Sequence, residues 1–271
     1  MTRSDVVAPT TGIVFRPQSP PEELRAAVEL ADDAGIDELW LWEDCFLEGG
    51  LTTASAALAW SRRVRVGVGL LPVPLRNPAL AAMEIATIAR LWPDRFVVTL
   101  GHGVQEWMSQ VGSAVDSPLT LLHEHTSAVR DLLEGRTVDV SGRYVRLSDV
   151  ALDWPPTRRP TLLVGARGPR TIALAGEVAD GVLLDSVVDP DAVRRARRLV
   201  QEGRERSGRE GRALVSVYTE LDPSADPTGL AARLWDRVDA LAEAGADTVI
   251  VQATASAPDP RPLVEALARR G

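Results

Sequence analysis

The chain has 271 residues, a net charge of −8 and 45% hydrophobic content. That length suits one (β/α) barrel, and the acidic balance argues against a nucleic-acid or anionic-membrane partner. All 30 basic residues are arginine, so Schiff-base aldolase chemistry and covalent pyridoxal-phosphate attachment are excluded. Asn77 is the sole asparagine and lysine is missing altogether, the codon bias of a GC-rich bacterial genome. A single cysteine, Cys45, excludes an intrachain disulfide and a cysteine-rich zinc site. No signal-peptide pattern or run of about 20 apolar residues is present, so a cytoplasmic protein without a membrane partner is expected.

Apolar, β-branched runs alternate with amphipathic runs along the chain. Strands are predicted over residues 12–15, 38–42, 64–71, 95–100, 161–164, 181–184, 213–219 and 248–252. Strands separated by helices become parallel neighbours, and eight such units close into a (β/α)8 TIM barrel, here a single domain over 1–271. Ser19-Pro20, Asn77-Pro78, Gly168-Pro169, Asp189-Pro190 and Asp259-Pro260 each place a capping residue before a proline suited to the first helical position. Ser19 and Glu22 have capping-box spacing. The segments LADDAGIDELWLW, LAGEVADGVLLD and LAEAGADTVIVQ echo one another: a helix end, a glycine expected to stop it, an aspartate, then a strand. Residues 136–160 interrupt the alternation after the fourth βα unit. Ser141-Gly142 between two alternating runs predicts a small hairpin there, in an insertion of a kind that often covers an active face.

The chemistry is expected at the C-terminal ends of the strands. Glu43, Asp44 and Cys45 follow the second strand, where a carboxylate binds a cofactor or moves a proton, or else caps a helix or pairs within a loop. Gly67 to Pro74 ends the third strand with glycines that permit close approach and prolines that turn the chain away. Gly101-His102-Gly103 ends the fourth. His102 titrates near neutrality at the barrel mouth, and Glu106 and Trp107 follow it towards the same cleft. His123 and His125 face different ways on a helix and are expected at the surface. Gly165 to Thr171 joins the fifth strand to a helix. Its glycines, two arginines and threonine suit an anion at a helix start.

Taken in order, GVGLLPVPLRNPALAAMEIATI, RFVVTLGHGVQEW and LLVGARGPRTIALAGEVADGVLL resemble the luciferase-like monooxygenase superfamily, in particular its branch that uses coenzyme F420, a 5-deazaflavin. The resemblance covers nearly the whole chain and implies a (β/α)8 barrel that binds F420 or FMN. It implies a non-prolyl cis peptide at Gly69-Leu70 behind the cofactor ring, a phosphate turn at 165–171 and an acid position at Asp44. The cofactor-binding set is then Asp44, Gly69, Leu70, Leu71, Gly101, Trp107, Gly165, Ala166, Arg167, Gly168 and Thr171. No metal is implied, and a homodimer is common in the family.

The chain departs from the branch at two positions. Cys45 stands where deazaflavin enzymes commonly have histidine, and Val104 stands where the sugar-phosphate dehydrogenases have glutamate. His102 is therefore inferred from the residues themselves as the proton donor or acceptor, beside Asp44 as the second catalytic candidate. The expected function is hydride transfer between F420 and a small organic substrate. An FMN-dependent monooxygenase, a non-catalytic flavin or deazaflavin carrier and a phosphate-binding isomerase are the alternatives.

Overall fold

The computed structural model describes residues 9–269. Eight parallel strands form the closed barrel: β1 (Thr10–Val14), β2 (Glu38–Leu41), β3 (Arg65–Pro72), β4 (Phe96–Gly101), β7 (Thr161–Ala166), β8 (Gly181–Leu184), β9 (Leu214–Glu220) and β10 (Thr248–Gln252). Their spatial order is β1-β10-β9-β8-β7-β4-β3-β2. The missing pair, β5 (Val138–Ser141) and β6 (Arg146–Val150), is an antiparallel hairpin within the insertion after β4. Helices α1 (Leu24–Asp33), α2 (Gly50–Trp60), α3 (Pro78–Leu91), α4 (Gln105–Gln110), α5 (Pro118–Leu133), α6 (Pro169–Val178), α7 (Pro190–Arg206), α8 (Leu230–Glu243) and α9 (Arg261–Ala268) connect and cover the strands. Among the described residues no helix is long and apolar enough to cross a membrane.

Strand alternation divides the core in two. Val14, Trp40, Val97, Leu163, Leu183, Tyr218 and Ile250 fill the barrel interior. The larger cluster lies between the strands and the helices. Trp40 is fully buried, and a Cβ at Gly67 on the neighbouring strand would overlap its ring. The largest interior side chain thus requires the smallest residue beside it. The Trp40 indole donates to Glu38 Oε2 at 2.8 Å, and Glu38 also receives Arg65 at 2.8 Å.

The three echoed segments share a device. Asp37, Asp180 and Asp247 each stand just before or at the start of a strand, and each accepts an N–H from the adjoining strand. The donors are Thr11 (2.8 Å), Leu162 (3.0 Å) and Val215 (2.8 Å). The glycines are less uniform. Gly35 and Gly245 take the left-handed conformation after α1 and α8, whereas Gly176 lies inside α6. A Cβ there would overlap the Val200 carbonyl of α7, so Gly176 serves a close helix crossing and does not stop its helix.

Capping follows the sequence in part. Asn77 and Asp189 accept N–H groups at the starts of α3 and α7, and Gly168 is the N-cap of α6. Asp259 accepts the Arg261 N–H from one position further out, with Pro260 as the N-cap of α9. Ser19 is buried, and its helical turn begins after Pro20 with no side-chain cap, so the capping box does not form.

Candidate active site

A cavity of about 560 Å³ opens at the C-terminal end of the strands. Its floor comes from the end of β3, where pairing with β4 shifts register between Val68 and Leu71 and the Gly69-Leu70 peptide is cis. A Cβ at Gly101 or Gly165 would meet the Leu70 side chain. Two glycines on adjacent strands therefore let Leu70 spread across the barrel beneath the cavity. At Gly69 a Cβ would overlap the Tyr218 hydroxyl and crowd Leu183. Tyr218 donates to the Gly69 carbonyl at 3.3 Å and packs edge-on against Trp40 and Trp42. Burial raises its phenol pKa well above the ordinary value, so it stays a neutral donor.

Both acids of the loop after β2 line the cavity, but they are held differently. Glu43 is held by the Arg76 guanidinium through both oxygens and also accepts the Gly50 N–H at 2.8 Å, at the first turn of α2. It performs the capping and pairing anticipated as the structural alternative. Asp44 lines the cavity, and burial raises its pKa; Arg16 opposes that rise and Asp185 adds to it. Arg16, buried at the end of β1, is held by Gln18, Glu220 and the Ala253 carbonyl, with its guanidinium 4.9 Å from the Trp42 ring centre. Cys45, whose peptide bond to Phe46 is also cis, is half-buried, and burial pushes its thiol pKa up with help from Glu43 and Asp44.

Across the cavity, His102 Nε2 lies 3.2 Å from the Thr171 hydroxyl. Burial lowers the imidazole pKa, with the Pro118 carbonyl pulling the other way, so the ring is neutral at neutral pH. A neutral ring can accept a proton at one nitrogen and donate from the other. Thr171 belongs to the first turn of α6, so the titratable ring is tied to the glycine-rich turn. In that turn Gly168 is exposed with nothing near its Cβ position, and Gly168 and Thr171 both line the cavity at the start of α6. Arg167 reaches over to Asp185 at the end of β8, with Nε–Oδ2 at 2.8 Å.

The cavity collects Asp44, Gly69, Leu70, His102, Trp107, Gly165, Ala166, Arg167, Gly168 and Thr171 from the expected set. Two residues of that set lie elsewhere. Leu71 is buried in the outer core because successive strand side chains alternate, and Gly101 is covered by Leu70. Glu106 is exposed on α4 outside the lining, because the helix turns it away while Trp107 turns in. No residue of 136–160 lines the cavity. The insertion is strapped to α5 instead: Glu124 accepts the N–H groups of Arg143, Tyr144 and Val145 at 2.8–2.9 Å. His125 is buried rather than superficial, with Nε2 3.1 Å from the Arg76 carbonyl, and burial lowers its pKa to about 4. Trp42, Leu183, Asp185 and Tyr218 were not anticipated. All four lie near strand ends, and alternation counted from Trp40 reaches Trp42. Among the described residues no group of three or more His, Cys, Asp or Glu is placed to hold a metal ion.

Comparison with known proteins places this geometry among relatives. The family model for luciferase-like monooxygenases matches residues 3–242. A 5,10-methylenetetrahydromethanopterin reductase of Methanolobus tindarius is 26% identical over 228 residues, covering 83% of this chain and 69% of that protein. An F420-dependent glucose-6-phosphate dehydrogenase of Microbacterium testaceum is 25% identical over 233 residues, covering 79% and 69%. Among solved structures, an F420-dependent secondary alcohol dehydrogenase in complex with an F420-acetone adduct superposes with a TM-score of 0.82. It is 18% identical and covers 97% of this chain and 98% of that one.

Proposed function

The chain belongs to the luciferase-like monooxygenase family, and we propose that it is an oxidoreductase working with coenzyme F420 on a small organic substrate. The observation that carries this reading is the continuity of one cavity from the Gly69-Leu70 bulge, past His102, to the turn at 165–171. The residues fit a deazaflavin: Leu70 offers an apolar floor, and the start of α6 offers N–H groups to a phosphate. When bound, the cofactor supplies hydride exchange at C5 of its ring. Leu70 and Tyr218 fix the floor, Trp107 and Leu183 exclude water, and Asp44 orients the ring. His102 takes or gives the proton that accompanies hydride transfer to or from the substrate. Val104 presents an apolar side chain to the cavity, which supports a substrate other than a sugar phosphate. We further propose a homodimer, supported by the exposed Leu80, Met83 and Leu91 on α3; light scattering on the purified chain checks it.

Titration of the purified protein with F420 and with FMN, followed by ring fluorescence, tests the cofactor. Tight binding of F420 with weak binding of FMN supports the proposal, and the reverse order supports an FMN-dependent monooxygenase. Binding with no turnover across a broad panel of alcohols, aldehydes and ketones supports a carrier instead.

A further inference from the structure

Arg167 was expected to meet the phosphate of the cofactor, yet its guanidinium is committed elsewhere. Both Nε and Nη2 donate to Asp185 Oδ2, joining the turn after β7 to the end of β8 across the cavity rim. Asp185 is itself placed by its neighbour. Ser186 holds a left-handed backbone (φ 48°), unusual for a residue with a side chain, and its hydroxyl donates to Asp185 Oδ1 at 3.0 Å. The Val187 N–H then donates to the Tyr218 carbonyl at 2.7 Å, which anchors the bend to β9. A strained residue at a functional rim persists where its surroundings enforce it. Here the enforced outcome is a carboxylate that lines the cavity and faces the one arginine of the anion turn that also lines it.

We infer that Asp185 is a built-in competitor for the anion site: it occupies Arg167 in the free protein and must give it up when the phosphate of a ligand arrives. The inference rests on the reading of 165–171 as the phosphate turn. Asp185 and a phosphate compete for the same donors, because a guanidinium binds carboxylate and phosphate in the same forked geometry. Asp185 also sets a negative charge beside the incoming anion. Both effects weaken anion binding, so Asp185 acts as an affinity-setting residue and not as a ligand. The pair is exposed on the Arg167 side, where ion pairs are weak, so the expected effect is a few-fold change.

The experiment uses the full chain and two probes, inorganic phosphate and F420, with chloride at equal ionic strength as the control. Asp185→Asn keeps the shape of the side chain and removes its charge. It is expected to bind both probes three- to ten-fold more tightly than the parent. Arg167→Ala is expected to bind them more weakly. Adding Asp185→Asn to Arg167→Ala should then restore only the part of the gain due to removed repulsion, and thermal melts confirm that each variant is folded. Equal or weaker phosphate binding by Asp185→Asn overturns the inference, as does the lack of phosphate binding by any variant. If phosphate binding tightens but F420 does not bind, the competitor stands and the cofactor reading fails. If F420 binds the parent and Asp185→Asn gains nothing, the cofactor reading stands and the competitor fails.

Discussion

Two acids at the N-terminal end of the barrel, Asp32 and Asp180, and one at its mouth, Asp44, are treated in opposite ways. At the N-terminal face, Asp32 accepts the N–H groups of Arg62, Arg63 and Val64 at 2.7–3.1 Å, and Asp180 receives Arg159 through two bonds and the Leu162 N–H. In both, burial pushes the pKa up but the donors outweigh it, and the net shift is down. At the C-terminal mouth, burial raises the Asp44 pKa with Asp185 adding to it, and only the charge of Arg16 opposes the rise. One face uses acids to tie strands together, and the other keeps an acid poorly satisfied beside a cavity.

The largest effect should come from breaking the tied end. Asp180→Ala leaves Arg159 without its bidentate partner and the Leu162 N–H without an acceptor. It is expected to cost roughly 3 kcal/mol in a urea unfolding experiment while F420 affinity stays at the parent value. A carboxyl with a lowered folded pKa contributes stability that is present above its unfolded value, near 4, and lost as pH falls through the folded value. The parent should therefore lose stability steeply below about pH 4, and the variant less steeply. A variant as stable as the parent would remove the distinction between the two faces.

The matching change at the mouth is His102→Ala. Turnover should fall on the order of 100-fold, with the melting temperature and cofactor affinity nearly unchanged. Because burial lowers the imidazole pKa, the direction in which His102 accepts a proton should lose rate only at a pH below the ordinary imidazole value of about 6.5. Steady-state kinetics across pH checks both. Full turnover without the imidazole would move the proton to another group.

Two glycines within the mouth divide along the same line. Gly69→Ala forces the Tyr218 hydroxyl and Leu183 apart beneath the floor and should cost about 2 kcal/mol. Gly168→Ala meets nothing and should stay within about 0.5 kcal/mol, while still narrowing the approach of an anion to the start of α6. Thermal melts with and without phosphate separate the two.

Those glycines also mark how far the sequence could be read. Strand periodicity located all eight barrel strands and the hairpin, because alternation is a local property of the chain. The Gly69-Leu70 cis peptide was expected from the resemblance and is present. Glycine by itself does not say which neighbour needs the space. Gly176, expected to stop its helix, instead admits the Val200 carbonyl of α7, and Gly101 admits the Leu70 side chain. The pairing of Arg167 with Asp185 is not legible in the sequence, because Asp185 follows the next strand, 18 residues away. The burial of His125 depends on where α5 packs, which spacing on one helix does not reveal.

The smallest effect is the most direct probe of the mouth. A carboxyl whose folded pKa is raised costs stability once pH exceeds its unfolded value, because the native state then holds an anion it disfavours. Asp44→Asn removes that cost. It should leave the protein equally stable at pH 3, where the parent carboxyl is protonated in both states, and slightly more stable at pH 7. Asp180→Ala has the opposite sign, since its loss appears at pH 7 and fades in acid. Arg16 is held to Glu220, Gln18 and the Ala253 carbonyl whichever residue stands at 44, so the difference between the two melts isolates the Asp44 charge. If Asp44→Asn instead lowers stability at pH 7, the carboxylate has donors in solution that satisfy it, and its place beside the cavity is structural.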